Sequence, residues 1–157
     1  RQSWAGRVVV SDHNEWRLLG ARELGQETRL AARSSECDPA LAESFDVVFD
    51  CAGTGSAMVQ ATSAVRRGGK IMAFAWHHDH LDLDGTALHF KGVTLVNATP
   101  FCRLRDVYPP AIRLLEKGII SPKTLVTHTG PFDQVGELFD TAVARPHGFL
   151  KAVVMFD

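Results

Sequence analysis

Several marks of large functional classes are scarce or missing. There are three cysteines, Cys37, Cys51 and Cys102, and no CxxC pair, so neither a disulfide scaffold nor a zinc ribbon is expected, and a reducing, cytoplasmic setting is the default. Basic charge is not in surplus: 17 Lys and Arg stand against 18 Asp and Glu, a formal net charge of −1. That leaves nothing to neutralise a nucleic-acid backbone. No apolar run approaches the roughly 18 residues a bilayer span requires, and no cationic leader with an apolar core opens the chain. Internal repeats and low-complexity segments are lacking too. The first residues are Arg1-Gln2-Ser3, without a methionine, and regular structure is expected almost at once, which reads as a piece of a longer protein. What is present, 157 residues at 45% hydrophobic and 22% charged, has the balance of about one globular domain.

Arg7-Val8-Val9-Val10-Ser11-Asp12 is a β-branched run ending in a polar pair, which predicts a buried parallel strand over 7–11. Asn14 to Leu24 reads as an amphipathic helix with Trp16, Leu19 and Leu24 on one face and Gly25 at its end. A weaker strand is expected over 27–31, and a short helix opening at Asp38-Pro39. Phe45 to Asp50 is a second firm strand, followed by the glycine-bearing turn Cys51-Ala52-Gly53-Thr54-Gly55. A helix over 56–67 closes on Gly68-Gly69, with Arg66-Arg67 as its charged end. Strands follow over 70–75 and 93–97, separated by a polar loop from His77 to Thr86. Beyond them come a helix over 106–116, a short strand over 125–128, a helix over 132–144 and a last strand over 150–156. Strands alternating with helices predict an α/β sheet with right-handed crossovers.

Asp12 is the most informative residue. Ligands of doubly wound sheets lie beyond the carboxyl ends of the strands, where an acid can accept both ribose hydroxyls of an adenosine and repel a 2′-phosphate. Its alternative role is to cap the helix that begins near Asn14. The Gly-rich phosphate loop, GxGxxG, that belongs before such a strand is absent, and the Cys51 to Ser56 turn follows a different strand. His77-His78-Asp79-His80 has metal-binding side chains, yet neighbours in a loop seldom converge, and a polar loop touching substrate is the other reading. His128 has no nucleophile nearby and is taken as structural. Met58, Met72 and Met155 are expected as core filler.

The succession VVVSDHNEWRLLGARELG, FDVVFDCAG, AVRRGGKIMAFAW, LEKGIISPKTLVTH, PFDQVGELFD and FLKAVVMF resembles the carboxyl-terminal half of the medium-chain dehydrogenase/reductase family, the zinc-type alcohol and polyol dehydrogenases, from about Gly6 to Phe156. The resemblance implies a Rossmann-like doubly wound parallel sheet, lacking its first strand and Gly-rich loop, over 1–124. It further implies a segment over 125–157 that returns to a catalytic domain. Asp12 matches the ribose-binding acid and Arg17 a basic position beside that ribose. Cys51, Ala52 and Gly53 match the turn that passes the cofactor. Phe74, Ala75 and Trp76 match a strand end facing the nicotinamide, and Ala98 to Pro100 the next strand end, at the carboxamide. Lys151 matches a cation that reaches the pyrophosphate. Packing alone is the competing role for Phe74 and Trp76, and plain solvation for Lys151. His77 and His78 are the local candidates for substrate contact.

Three functional readings follow. In the first, the chain is the cofactor-binding part of an NAD-dependent oxidoreductase acting on an alcohol or polyol. Zinc would then be bound only in an amino-terminal half not included, and this chain alone would be inactive. The second is a degenerate nucleotide-binding or interaction module, and the third an S-adenosylmethionine-dependent methyltransferase. In the Rossmann order 3-2-1-4-5-6 the missing first strand lies between those starting at Arg7 and Phe45, and Val93 to Asn97 is a free edge where two copies would pair.

Overall fold

The computed structural model describes residues 5–77, 80–81, 83–98 and 104–156, the Leu104 side chain excepted. In chain order the elements are β1 (Val9–Asp12), α1 (Glu15–Glu23), β2 (Glu27–Leu30), β3 (Phe45–Asp50), α2 (Gly55–Ala64), β4 (Val65–Ala73), α3 (Gly85–Lys91), β5 (Thr94–Asn97), α4 (Leu104–Glu116), β6 (Val126–Pro131), α5 (Val135–Ala144) and β7 (Lys151–Met155). Every ladder is parallel, in the orders β1-β2, β3-β4-β5 and β6-β7. The α/β class with parallel sheets is as expected. Among the described residues no helix is long and apolar enough to cross a membrane. The chain divides into two compact units, Ala31–Val107 and the pair Arg1–Leu30 with Tyr108–Asp157.

In the unit Ala31–Val107, parallel pairing demands crossovers, and α2 and α3 supply them. Met58, Ala61, Val65, Ile71 and Ala73 form its core, with Val48, Leu81, Leu83, Leu88 and Val93 packed against it. The helix expected to run to Arg67 stops at Ala64, and Arg66 and Arg67 belong to β4. Pairing decides this: Phe45 sits opposite Val65 and Val47 opposite Lys70, so β4 bulges around Gly68, at φ 68°. Arg66 Nε donates to Asp46 Oδ1 at 2.7 Å, and Arg67 Nη2 to the Phe90 carbonyl at 2.8 Å. The last carbonyls of α2 are then taken from outside: Lys91 Nζ reaches that of Thr62 at 2.8 Å, and the Glu43 and Ser44 amides reach those of Ser63 and Ala64. Residues 77–86 are not wholly loop, because Asp84 accepts from the Ala87 amide and starts α3 at Gly85.

In the other unit, Asn14 caps α1 by accepting from the Trp16 amide at 3.0 Å. Leu18 is the buried residue of this helix, whereas Leu19 and Leu24 are 47% and 66% exposed, so the expected apolar face is wrong. Position 18, a half turn from 16, points to the strand side once β2 pairs with β1. Trp16 instead meets the His147 ring edge-on at 5.6 Å. Of the three methionines, Met58 is fully buried, while Met155 is 54% exposed and fills no core.

Two surface ion pairs, Arg7–Glu27 and Arg66–Asp46, lie near strand ends. Arg7 holds the Glu27 carboxylate below its usual range, and Arg66 does the same to Asp46. Lowered folded-state values mean that whatever these pairs contribute is present at neutral pH and lost as pH falls through them. Both are exposed, so the contribution is small.

Candidate functional site

Two clusters sit at carboxyl ends of parallel strands, the ligand side of an open α/β sheet. The first is built on Asp12, the last residue of β1. Its Oδ1 accepts from the Asn14 amide at 2.8 Å, and its Oδ2 lies 3.5 Å from Arg17 Nη1. The cap of α1 is therefore Asn14, and Asp12 only braces it, which corrects the capping alternative for Asp12. His13 Nδ1 lies 3.8 Å from Oδ1, and 24% of the Asp12 side chain stays exposed. Arg17 also lines a groove of about 470 Å³ with Arg145, Lys151, Phe139, Phe149 and Leu138. Three cations thus border one apolar-floored groove, a combination suited to a phosphorylated ligand with a flat apolar part. Arg145 escaped sequence reasoning; the signal was its place at the end of α5, where it takes φ 45° and caps the helix through its own amide.

The second cluster is built on Asp50, the last residue of β3 and 3% exposed. Its Oδ1 accepts from the Ala52 amide at 3.0 Å and the Gly53 amide at 3.2 Å. Its Oδ2 is 2.7 Å from His77 Nε2. The Asp50 carbonyl in turn accepts from the Phe74 and Ala75 amides, each at 2.9 Å. The turn after β3 and the chain after β4 are thereby tied to one residue. Gly53 is at φ 70°, and a Cβ there would lie 2.5 Å from the Trp76 carbonyl oxygen, so only glycine allows the two segments to approach this closely.

Of the expected site residues, the structure brings Asp12 and Arg17 together, and Arg17 and Lys151 onto one groove. Cys51, Ala52, Gly53, Phe74, Ala75, Trp76 and His77 gather around Asp50. Phe74, Ala75 and Trp76 follow β4 rather than end it, since pairing stops at Ala73. Phe74 and Trp76 are 58% and 66% exposed in this chain. Ala98, just past β5, donates its amide to the Ala73 carbonyl at 2.9 Å. His78 and Pro100 lie outside the described residues, as do Thr99 and Asp79. Asp50 was missed, although its position repeats that of Asp12: an acid closing an apolar strand.

Burial, with a smaller push from the Asp50 charge, raises the Cys51 thiol above its ordinary range. Burial and Asp38 raise Cys37 against the opposing pull of Lys91. Neither described cysteine is an activated nucleophile. No group of three His, Cys, Asp or Glu among the described residues could hold a metal ion. His128 bonds Thr127 at 2.9 Å and leans on Phe149, a packing role.

Comparison with known proteins finds relatives over most of the chain. Residues 3–117 match the family model described as zinc-binding dehydrogenase. Sorbitol dehydrogenase of Arabidopsis thaliana is 32% identical over 162 residues, covering 96% of this chain and 43% of that protein. The solved structure of L-idonate 5-dehydrogenase from Escherichia coli has a TM-score of 0.83 at 21% identity, covering 97% of this chain and 43% of that one. An alcohol dehydrogenase from E. coli complexed with NADH gives 0.75 at 19% identity, over 96% and 45% of the two chains. A Sinorhizobium meliloti dehydrogenase bound to NADP gives 0.78 at 19%, over 97% and 46%. At these identities the solved structures show a shared fold. The chain spans less than half the length of each of these proteins.

Proposed function

The chain belongs to the zinc-binding dehydrogenase family, and from that premise we propose that it is the cofactor-binding part of an oxidoreductase that transfers a hydride between NAD and an alcohol or polyol. Residues 1–124 form the partial dinucleotide-binding domain in this reading. Residues 125–157 return to the catalytic domain, and the setting is cytoplasmic. The observation that carries it is the join of Asp12, Arg17 and Lys151: a part-exposed carboxylate at a strand end, an arginine beside it, and a groove shared with a second and third cation. Asp12 would accept the adenosine ribose hydroxyls, Arg17 and Lys151 would offset the diphosphate charge, and the turn Cys51-Ala52-Gly53 would pass the cofactor with Phe74, Ala75, Trp76 and Ala98. The bound nicotinamide supplies hydride acceptance and donation. Zinc does not fit the described residues, which hold no donor set for it, and no step here runs through it.

Calorimetric titration of the chain with NADH and NADPH tests the reading. NADH is expected to bind. A hydrogen bond to a charged group contributes roughly 1.5–3 kcal/mol, so Asp12→Ala should weaken NADH about tenfold or more and narrow its advantage over NADPH. Unchanged affinity and cofactor choice in that variant would defeat the ribose assignment, and stabilisation by S-adenosylmethionine in place of NADH would favour a methyltransferase.

The free edge of β5 is the proposed homodimer contact. It pairs only with β4 among the described strands and carries the 41% exposed Leu95. Sedimentation at high concentration is expected to show a dimer that Leu95→Lys dissociates; a monomeric wild type would dismiss the contact.

A further inference from the structure

Arg145 is held in a backbone conformation that its residue type does not favour. It closes α5 at φ 45° and ψ 57°, its amide donating to the Thr141 carbonyl at 2.9 Å. A left-handed helix end of this kind is ordinarily glycine or asparagine. Strain at a non-glycine residue persists where the surroundings impose it, as they do at ligand clamps. Gly148 follows at φ 90°, and the Phe149 amide donates to the Pro146 carbonyl at 3.0 Å, so residues 145–148 form a tight turn between α5 and β7. The turn is fastened to α1, because the His147 ring meets Trp16 edge-on at 5.6 Å, and Trp16 adjoins Arg17 in the chain. Arg17 from α1, Arg145 from the end of α5 and Lys151 from the start of β7 thereby line one groove. Arg17 is partly compensated by Asp12 at 3.5 Å. Among the described residues neither the Arg145 nor the Lys151 side chain has an ion-pair or hydrogen-bond partner, which leaves two uncompensated cations in the groove. Their mutual repulsion is relieved by an anion that meets both.

We propose that Arg145 is a phosphate-binding residue of the cofactor groove, acting with Lys151 on the diphosphate, and that His147 is the positioning residue that keeps its turn against α1. The inference rests on the dehydrogenase reading above, which gives Arg145 no part of its own. A guanidinium presents its N–H donors in a planar fork that meets two phosphate oxygens at once, whereas an ammonium acts as a point charge. Lys151 thus supplies attraction and Arg145 direction. Asparagine at 145 would suit the left-handed backbone and lack the fork. Stability kept or gained while binding is lost is the signature of a residue retained for its ligand.

Titration of the chain with NADH, ADP and adenosine, beside urea unfolding, provides the test. Arg145→Asn is expected to unfold at the wild-type urea concentration or a higher one. It should weaken NADH and ADP about tenfold or more and leave adenosine within about twofold. Added salt should narrow the gap between variant and wild type. His147→Phe keeps an aromatic ring against Trp16 and should retain wild-type affinity for ADP, whereas His147→Ala should weaken ADP about threefold and spare adenosine. Adenosine weakened as much as ADP by Arg145→Asn, or ADP left untouched, would overturn the proposal. A lower urea midpoint in Arg145→Asn would do so too, since the arginine would then serve the fold. Equal losses in His147→Phe and His147→Ala would dismiss the positioning role. If the wild type binds neither NADH nor ADP, the cofactor reading itself falls, and the share of Arg145 falls with it.

Discussion

Gly53→Ala is expected to destabilise the chain by about 3–4 kcal/mol, whereas the same substitution at Gly92 should cost only ~1 kcal/mol. Both glycines have left-handed backbones, φ 70° and 62°, so the conformational penalty of a Cβ is similar. They differ in what the Cβ would meet. At Gly92, the C-terminal cap of α3, nothing lies within 4 Å; at Gly53 the Trp76 carbonyl oxygen would be 2.5 Å away and Ala75 Cβ 3.1 Å. A backbone oxygen cannot rotate aside. Relief would have to come from parting the turn after β3 from the chain after β4, and that would stretch the Asp50 bonds to the Ala52, Gly53, Phe74 and Ala75 amides. Urea denaturation of both variants isolates the close approach as the difference between them. NADH binding should fall with Gly53→Ala and persist with Gly92→Ala. Equal losses of stability in the two variants would mean that the approach carries no energy.

That close approach also shows what was legible in the sequence and what was not. The strand ending in Asp12 and the strand ending in Asp50 declare themselves locally, because a β-branched run followed by polar and turn residues has few other conformations. The Cys51 to Gly55 turn is equally local. Boundaries set by pairing were less readable. Arg66 and Arg67 follow a good helix without a break in composition, and their place in β4 depends on Phe45 and Val47 across the ladder. Helix α3 had a local signal in Asp84-Gly85, the cap and first residue, that the surrounding polar loop obscured. Leu18 rather than Leu19 is buried because β2, a weak strand by sequence, settles beside β1. In the site, Arg17 lies in the first turn of the helix that follows Asp12 and could be found; Arg145 joins the same groove from more than a hundred residues away. Asp50 and His77 are 27 residues apart, and only parallel pairing of β3 with β4 brings their strand ends together.

Asp50→Ala is expected to cost about 3–5 kcal/mol, since it removes one partner of a buried, hydrogen-bonded pair and leaves the others behind. The Ala52 and Gly53 amides would lose their acceptor, and His77 Nε2 would face an apolar methyl in an enclosed position. Asp50→Asn separates these contributions. Its side-chain oxygen can still accept from the two amides, and its NH2 can meet Nε2 once the ring changes tautomer, so the loss should be nearer 1–2 kcal/mol. A midpoint order of wild type, then Asn, then Ala in urea would place most of the energy in the amide bonds of Oδ1. If Asn were as damaging as Ala, the energy would reside instead in the contact between Oδ2 and His77. If Ala were within about 1 kcal/mol of wild type, water must replace the carboxylate, and the turn after β3 would be held by Gly53 and the Phe74 and Ala75 amides alone.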